Sequence, residues 1–318
     1  MAKKMKTNKL PDHHYVPQGY LKGFMDNGEL YVINKKYGTI RPTTPAGVVY
    51  TPGFYTVDTV DEKDSSEVED NFSKIETTCI PIIKKMVAGE HLTNSNIADL
   101  AIYIALQYGR TPFSRARMDN VTTIMVTNLM KEKLAEAYND STKYKEMAEY
   151  LQARSPNLDI PSREKIKGWI LKPGPLAKIK VDNGTYVKHF FESADTIATE
   201  LLKRRWIVLR APQGISFITS DNPIGLHLDR PLKMGEILAI LLKDVQRFFP
   251  LSAKTCLAII DNNQFELKTS SVTKEQVKNI NRLIYDQAQQ YAISGSKPLL
   301  LSLKVWHYQR TIKKLRVD

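Results

Sequence analysis

Apolar residues return in two different rhythms along this chain. Through its middle they recur every three or four positions, the period of a helix face. Toward both ends they fall in short runs bounded by turn residues, as strands do. The clearest helical face is Ile97, Leu100, Ala101, Ile104, Ala105 and Tyr108, with Thr93 or Asn94 placed to cap its start. Tyr103, Gln107, Arg110 and Ser114 lie at steps of four, three and four and form a second, polar stripe. Pro112 cannot donate to the carbonyl of Tyr108, so this helix is expected to end or kink near Arg110 and Thr111. Upstream, the acidic stretch 61–70 opens a helix whose Val68, Phe72, Ile75 and Cys79 share a face, with Glu69 and Glu76 on another stripe. Downstream, Ile124, Leu129, Leu134 and Tyr138 keep the helical period, and further helices are expected over 143–153, 194–203 and 274–292.

Strands are expected at 29–34, after the turn Asp26-Asn27-Gly28, and at 40–43. Short β pieces follow at 48–50 and 54–57, broken by Pro52-Gly53. Later, 206–210 should pair with 215–219 across Pro212-Gln213-Gly214, and 255–260 with 265–268 across Asp261-Asn262-Asn263. Residues 299–306 read as a last strand. The order predicts an α+β fold: a small N-terminal β element, a central helical bundle, and a C-terminal, mostly antiparallel sheet with packed helices. Residues 1–11 read as a flexible basic arm and 12–318 as a single α+β domain. Within it, 154–189 reads as a basic connector or flap rich in Pro and Gly, with seven Lys/Arg against two acids between Arg163 and Lys188.

Charge alters this picture more than composition does. The net charge is +12 with a pI near 9.4, which suits nucleic acid, anionic lipid or an acidic protein as partner. Lys203, Arg204 and Arg205, with Lys178 and Lys180, are the candidate nucleic-acid contacts, and Trp169 and Trp206 could stack a base. The two cysteines, Cys79 and Cys256, sit in apolar surroundings and form no CxxC pair, which fits a reducing cytoplasm. The basic N-terminus has no apolar run behind it, and the stretch 237–242 is too short to span a bilayer, so no membrane role is expected.

Candidate chemistry begins at His13-His14. On an extended segment the two rings point to opposite faces, so one of them can serve a common site as general acid or base. His14 is preferred, because Val16 on its face and Tyr15 on the other would pack around it. Arg110 offers a planar fork for phosphate, with Gln107 to orient; equally, Arg110 could form a buried ion pair with Glu69 or Glu76. Asp221, in the elbow Ser220-Asp221-Asn222-Pro223, could partner a histidine or, with Glu76 or Glu69, hold a divalent metal such as Mg²⁺; equally, it could close an Asx turn. The chain has no HExxH, Walker loop, GxSxG or GxGxxG.

Three stretches together resemble the domain of unknown function 4238 family of bacteria and their mobile elements. They are His13-His14-Tyr15-Val16-Pro17 with Tyr20, Leu21 and Phe24; Gln107-Tyr108-Gly109-Arg110-Thr111-Pro112; and Phe217-Ile218-Thr219-Ser220-Asp221-Asn222-Pro223 with Phe249-Pro250-Leu251-Ser252 behind it. The resemblance implies a setting among mobile and defence genes. The expectation is therefore a cytoplasmic nuclease-like effector cutting nucleic-acid phosphodiesters in phage defence or a toxin system. A non-enzymatic module binding nucleic acid or a partner protein in such a system is the alternative.

Overall fold

In the computed structural model, which describes residues 12–56, 63–231, 239–262 and 264–315, the opening stretch is tied into the body from its first described residue. Asp12–His14 (β1) pairs antiparallel with Tyr50–Pro52 (β4). A short helix, Gln18–Leu21 (α1), and a 3-10 turn at Lys22–Phe24 follow β1, burying Tyr20, Leu21 and Phe24. Between them and β4 lie Leu30–Asn34 (β2) and Thr39–Thr43 (β3). The basic arm 1–11, and Val57 and Asp61 of the elements expected beside them, lie outside the described residues.

Helices come next: Lys63–Ala88 (α2), Asn94–Gly109 (α3), Pro112–Asn139 (α4), Ser141–Arg154 (α5), Arg163–Leu171 (α6) and Asn183–Leu201 (α7). The remainder is Arg205–Arg210 (β5), Thr219–Ser220 (β6), Gly225–His227 (β7), Gln246–Ser252 (β8), Thr255–Ile260 (β9), Glu266–Ser271 (β10), Lys274–Gln287 (α8), Tyr291–Ser294 (β11) and Lys297–Leu315 (α9). The fold is α+β, with small N-terminal strands and mostly antiparallel sheets packed with helices. Among the described residues no helix is long and apolar enough to cross a membrane.

The chain divides into two compact units, one from Met1–Arg115 with Asn183–Asp318, the other Ala116–Asp182. In the first, a five-stranded sheet runs β10-β5-β9-β8-β7 and a four-stranded one β3-β2-β11-β6. Their shared core joins Phe217, Ile218, Cys256 and Ala258 to Val277, Ile280 and Ile284 of α8 and Leu300 and Leu303 of α9. The second unit is held by Ile166 and Ala137, by a Tyr144 hydroxyl donating to Pro161 (3.1 Å), and by Asp119, which accepts from the Val181 N–H (2.9 Å). α6 stands in the stretch expected as a bare connector, its start capped by Ser162. α7 starts at Asn183, eleven residues before the expected 194.

Four other expectations are corrected. Residues 299–306 are helical, because burial there steps by three, at Leu300 and Leu303, while Leu301 and Val305 face solvent. Residues 215–218 make no hairpin with β5: Asn281 takes the Ile218 N–H (3.0 Å) and donates to the Ser216 carbonyl (2.8 Å), replacing the ladder. β10 does not return along β9 but lies parallel to β5 on its other side, Leu267 opposite Trp206. The helix expected to reach 292 stops at Gln287, and Tyr291–Ser294 becomes a strand between β2 and β6.

One glycine binds the opening stretch to the far end of the chain. A Cβ on Gly295 would stand 2.6 Å from the Asp26 nitrogen and 2.7 Å from the Phe24 carbonyl oxygen, both backbone atoms with no room to yield. Gly295→Ala is expected to destabilise the protein by about 1–3 kcal/mol, the usual cost of overpacking, read as a fall in the thermal midpoint. An unchanged midpoint would show that the 24–26 segment moves away freely.

Candidate functional site

Strand alternation puts one of the two histidines inside, and it is His13, not the preferred His14. His13 is 1% exposed, its ring stacked on Tyr55 at 5.5 Å. Its Nδ1 accepts the Tyr55 backbone N–H (2.9 Å), so the neutral ring carries its proton on Nε2. That Nε2 faces Glu69 Oε1 at 3.8 Å and has no hydrogen-bond partner among the described residues. Burial lowers the His13 pKa, against a smaller opposing effect of Asp12. His14 turns the other way, half-buried, with Nε2 3.2 Å from the Ala46 carbonyl and its ring against Tyr50.

The next residue links the strand to the broken helix. The Tyr15 carbonyl accepts from Gln107 Nε2 (2.9 Å) and Arg110 Nε (3.1 Å), and Arg110 Nε also reaches Gln107 Oε1 (3.1 Å). Arg110 Nη1 donates to Glu76 Oε1 (2.9 Å), and its guanidinium lies over the Phe72 ring at 4.7 Å. Arg110 is 2% exposed; its Nη2 and the buried Tyr103 hydroxyl have no hydrogen-bond partner among the described residues. Pro112 ends α3 as its chemistry requires, and hydroxyls take the released carbonyls. Ser114 donates to Tyr108, Tyr186 to Gly109, and Tyr55 to Arg110 (2.8 Å).

Glu69 and Glu76 are seven residues apart on α2, two turns, and flank Phe72. Their side chains are 44% and 28% exposed, making them the outer members of an otherwise buried group. Burial raises the Glu69 pKa above the usual carboxylate value, with Arg110 opposing. The cluster is therefore an arginine tied to one carboxylate, a histidine N–H facing a second carboxylate, and a free phenol. It can hold an anionic oxygen by charge-assisted hydrogen bonds, and Glu69 offers a carboxylate beside it as a proton acceptor.

Asp221 has a different set of partners. Its carboxylate accepts three backbone N–H groups, from Gln289 (2.8 Å), Gln290 (2.6 Å) and Tyr291 (2.8 Å). Burial pushes its pKa up to about 6 despite these donors. Beside it the Lys35 ammonium caps the end of α8, donating to the carbonyls of Tyr285 (2.6 Å), Asp286 (3.0 Å) and Ala288 (2.6 Å). Asn222 donates to the Gln287 carbonyl (3.2 Å). The Ser-Asp-Asn-Pro elbow thus locks the turn between α8 and β11. Among the described residues no hydrogen bond or ion pair joins Asp221 to Glu76 or Arg110, and no three His, Cys, Asp or Glu side chains converge to hold a metal ion.

The candidate nucleic-acid contacts fall in both units, and three of them are already paired. Arg204 is buried, donating to Asp261 (2.6 Å) and the Leu241 carbonyl (2.7 Å). Lys203 pairs with Glu200 (2.5 Å) and Arg205 with Glu266 (2.6 Å). Lys178 and Lys180 are exposed in the second unit. Trp206 is fully buried, its indole N–H on the Leu201 carbonyl (2.9 Å). Sequence reasoning passed over Tyr55, which supplies the N–H to His13 and the hydroxyl to Arg110. Its position just after Pro52-Gly53 carried no signal beyond a turn.

The site so defined is a buried arginine–carboxylate–histidine cluster in an α+β fold, built where the opening stretch meets a proline-broken helix. The family model described as "Protein of unknown function (DUF4238)" matches residues 12–298, and the chain belongs to that family. No curated protein and no solved structure matches the chain.

Proposed function

We propose that this chain is a nuclease-like effector that hydrolyses nucleic-acid phosphodiesters at the His13–Glu69–Arg110 cluster. The observation that carries the reading is the pair of buried, unpartnered donors, His13 Nε2 and Arg110 Nη2, beside a half-buried carboxyl whose pKa is raised. Buried donors left unpaired are uncommon and suit a ligand oxygen. A phosphoryl oxygen takes the place Glu69 holds opposite His13, and Arg110 balances its charge. The displaced Glu69 carboxylate takes the proton of the attacking water as the new P–O bond forms and the ester P–O bond breaks, and then returns that proton to the leaving oxygen. His13 acts as a fixed donor, because charging the ring would break its bond from the Tyr55 N–H. The net charge of +12 supports a nucleic-acid substrate. A cytoplasmic setting in phage defence or a toxin system rests on the family resemblance.

A second reading, a non-enzymatic binding module, is favoured by one observation. Three of the polar contacts at Arg110 and Gln107 already serve the Tyr15 carbonyl and each other. Glu69→Gln separates the two. Because Glu69 is partly exposed, the variant should melt within a few degrees of the parent. Its cleavage of single-stranded RNA or DNA should fall by about 10²–10⁴, the usual contribution of a general base. If the parent cuts neither substrate yet binds them in a salt-sensitive way, the binding reading stands.

A further inference from the structure

A second site stands out away from the cluster. A cleft of about 840 Å³ opens in the first unit, at the end of the opening stretch. Lys254 contributes to it from the turn between β8 and β9, Lys278 and Arg282 from α8, and Trp306 from α9. Asp26 is the acid among its lining residues.

The cations keep donors to offer. Arg282 uses Nη1 for both Glu275 (3.0 Å) and Asn279 (2.9 Å), leaving Nε and Nη2 without a protein partner among the described residues. Lys278 meets Glu275 at 3.5 Å with its side chain half exposed, and Lys254 donates once, to the Ile215 carbonyl (2.5 Å). The Arg282 guanidinium lies over the Trp306 ring, 5.4 Å from its centroid, and Arg310 lies over the same ring at 5.6 Å, so the charged end of the cleft borders an aromatic side chain already engaged by cations. The first turn of α9 also lines the cleft, at Pro298 and Leu299, adding the positive end of a 19-residue helix.

We propose that this cleft binds a nucleoside phosphate. Its phosphates lie among Lys254, Lys278 and Arg282, its base packs against the part of Trp306 that lines the cleft, beside the Arg282 guanidinium, and Asp26 accepts a sugar hydroxyl or an exocyclic amine. The volume is within the range of small-ligand sites and several times what inorganic phosphate fills. Three cations with open donors disfavour a purely apolar ligand, and an aromatic wall beside them favours a base over a bare anion. The assignment does not rest on the His13–Glu69–Arg110 reading, and the two sites share no side chain.

The test is calorimetric titration of the full chain with ATP, GTP, CTP and UTP, and with inorganic triphosphate. The parent is compared with Lys278→Gln/Arg282→Gln, two partly exposed positions, and with Trp306→Leu, each checked for an unchanged melting temperature. At least one nucleotide should bind saturably. The double variant should weaken it by at least about tenfold, the loss expected for removing charge-assisted phosphate contacts. Triphosphate alone should bind about tenfold more weakly than the best nucleotide, since stacking of a base adds roughly that much. Glu69→Gln should bind like the parent, which keeps this result separate from the fate of the hydrolytic reading. The proposal is overturned if no nucleotide binds at concentrations on the order of 1 mM, the weak end of specific affinity. It is also overturned if the double variant binds as the parent does, if triphosphate matches every nucleotide, or if only an oligonucleotide binds.

Discussion

Asp221→Ala is expected to remove about 3–5 kcal/mol of stability, the range for deleting one partner of a buried charged group. The carboxylate is the acceptor for three successive backbone N–H groups at 289–291. Each buried N–H left unpaired costs about 1–3 kcal/mol. The loss also spreads, because the same turn leads into β11, which joins β2 to β6 and so ties the opening third of the chain to the C-terminal part. Asp221→Asn should fall between alanine and the parent: the amide oxygen still accepts, but the amide nitrogen meets a backbone donor. Urea titration followed by circular dichroism checks both. A midpoint for alanine within a few degrees of the parent in a thermal melt would show that the turn stands without the carboxylate. Any activity lost in Asp221→Ala is then expected to track the folded fraction, unlike activity lost in Glu69→Gln.

The α+β class was legible because its helices carry long, strict periodicities and local punctuation. α3 has a Thr93–Asn96 capping box at one end and Pro112 after the other, and both act through neighbours in sequence. α9 was not legible: its apolar residues crowd 299–303, so both periods fit, and only the rest of the fold decides that Leu300 and Leu303 go inward. The parallel pairing of β10 with β5 was hidden for a similar reason, since turn residues specify a reversal but not which strand receives the returning chain. At the site, alternation said that one histidine faces inward but not which. The register of β1 on β4, His13 opposite Thr51 and His14 opposite Tyr50, settles it by bringing Tyr55 behind His13. The stripe of Glu69 and Glu76 likewise offered two partners for Arg110. The structure assigns Glu76 to Arg110 and leaves Glu69 opposite His13.

Arg110→Ala is the substitution expected to do most damage in the opening region, about 3–5 kcal/mol by the measure of a broken buried ion pair. Three losses add. Glu76 keeps its charge without its partner, the Tyr15 carbonyl keeps only Gln107, and the space over Phe72 is left empty. Lysine should not rescue it, because one ammonium cannot reach Tyr15, Gln107 and Glu76 together as the planar fork does. Pairing Arg110→Ala with Glu76→Gln in a double-mutant cycle should return a coupling of about 1–3 kcal/mol, the range for residues in direct contact. A coupling near zero would mean that the carboxylate contributes little and that Arg110 acts through Tyr15 alone. The cycle also bears on function. A ligand anion reaching Arg110 Nη2 adds a second negative partner, so Glu76→Gln should strengthen anion binding while weakening the fold. A purely structural arginine would show only the weaker fold. Measuring the melting temperature of the parent and of Glu76→Gln with and without a short oligonucleotide reads both effects in one series, and opposite signs mark Arg110 as a ligand-binding residue.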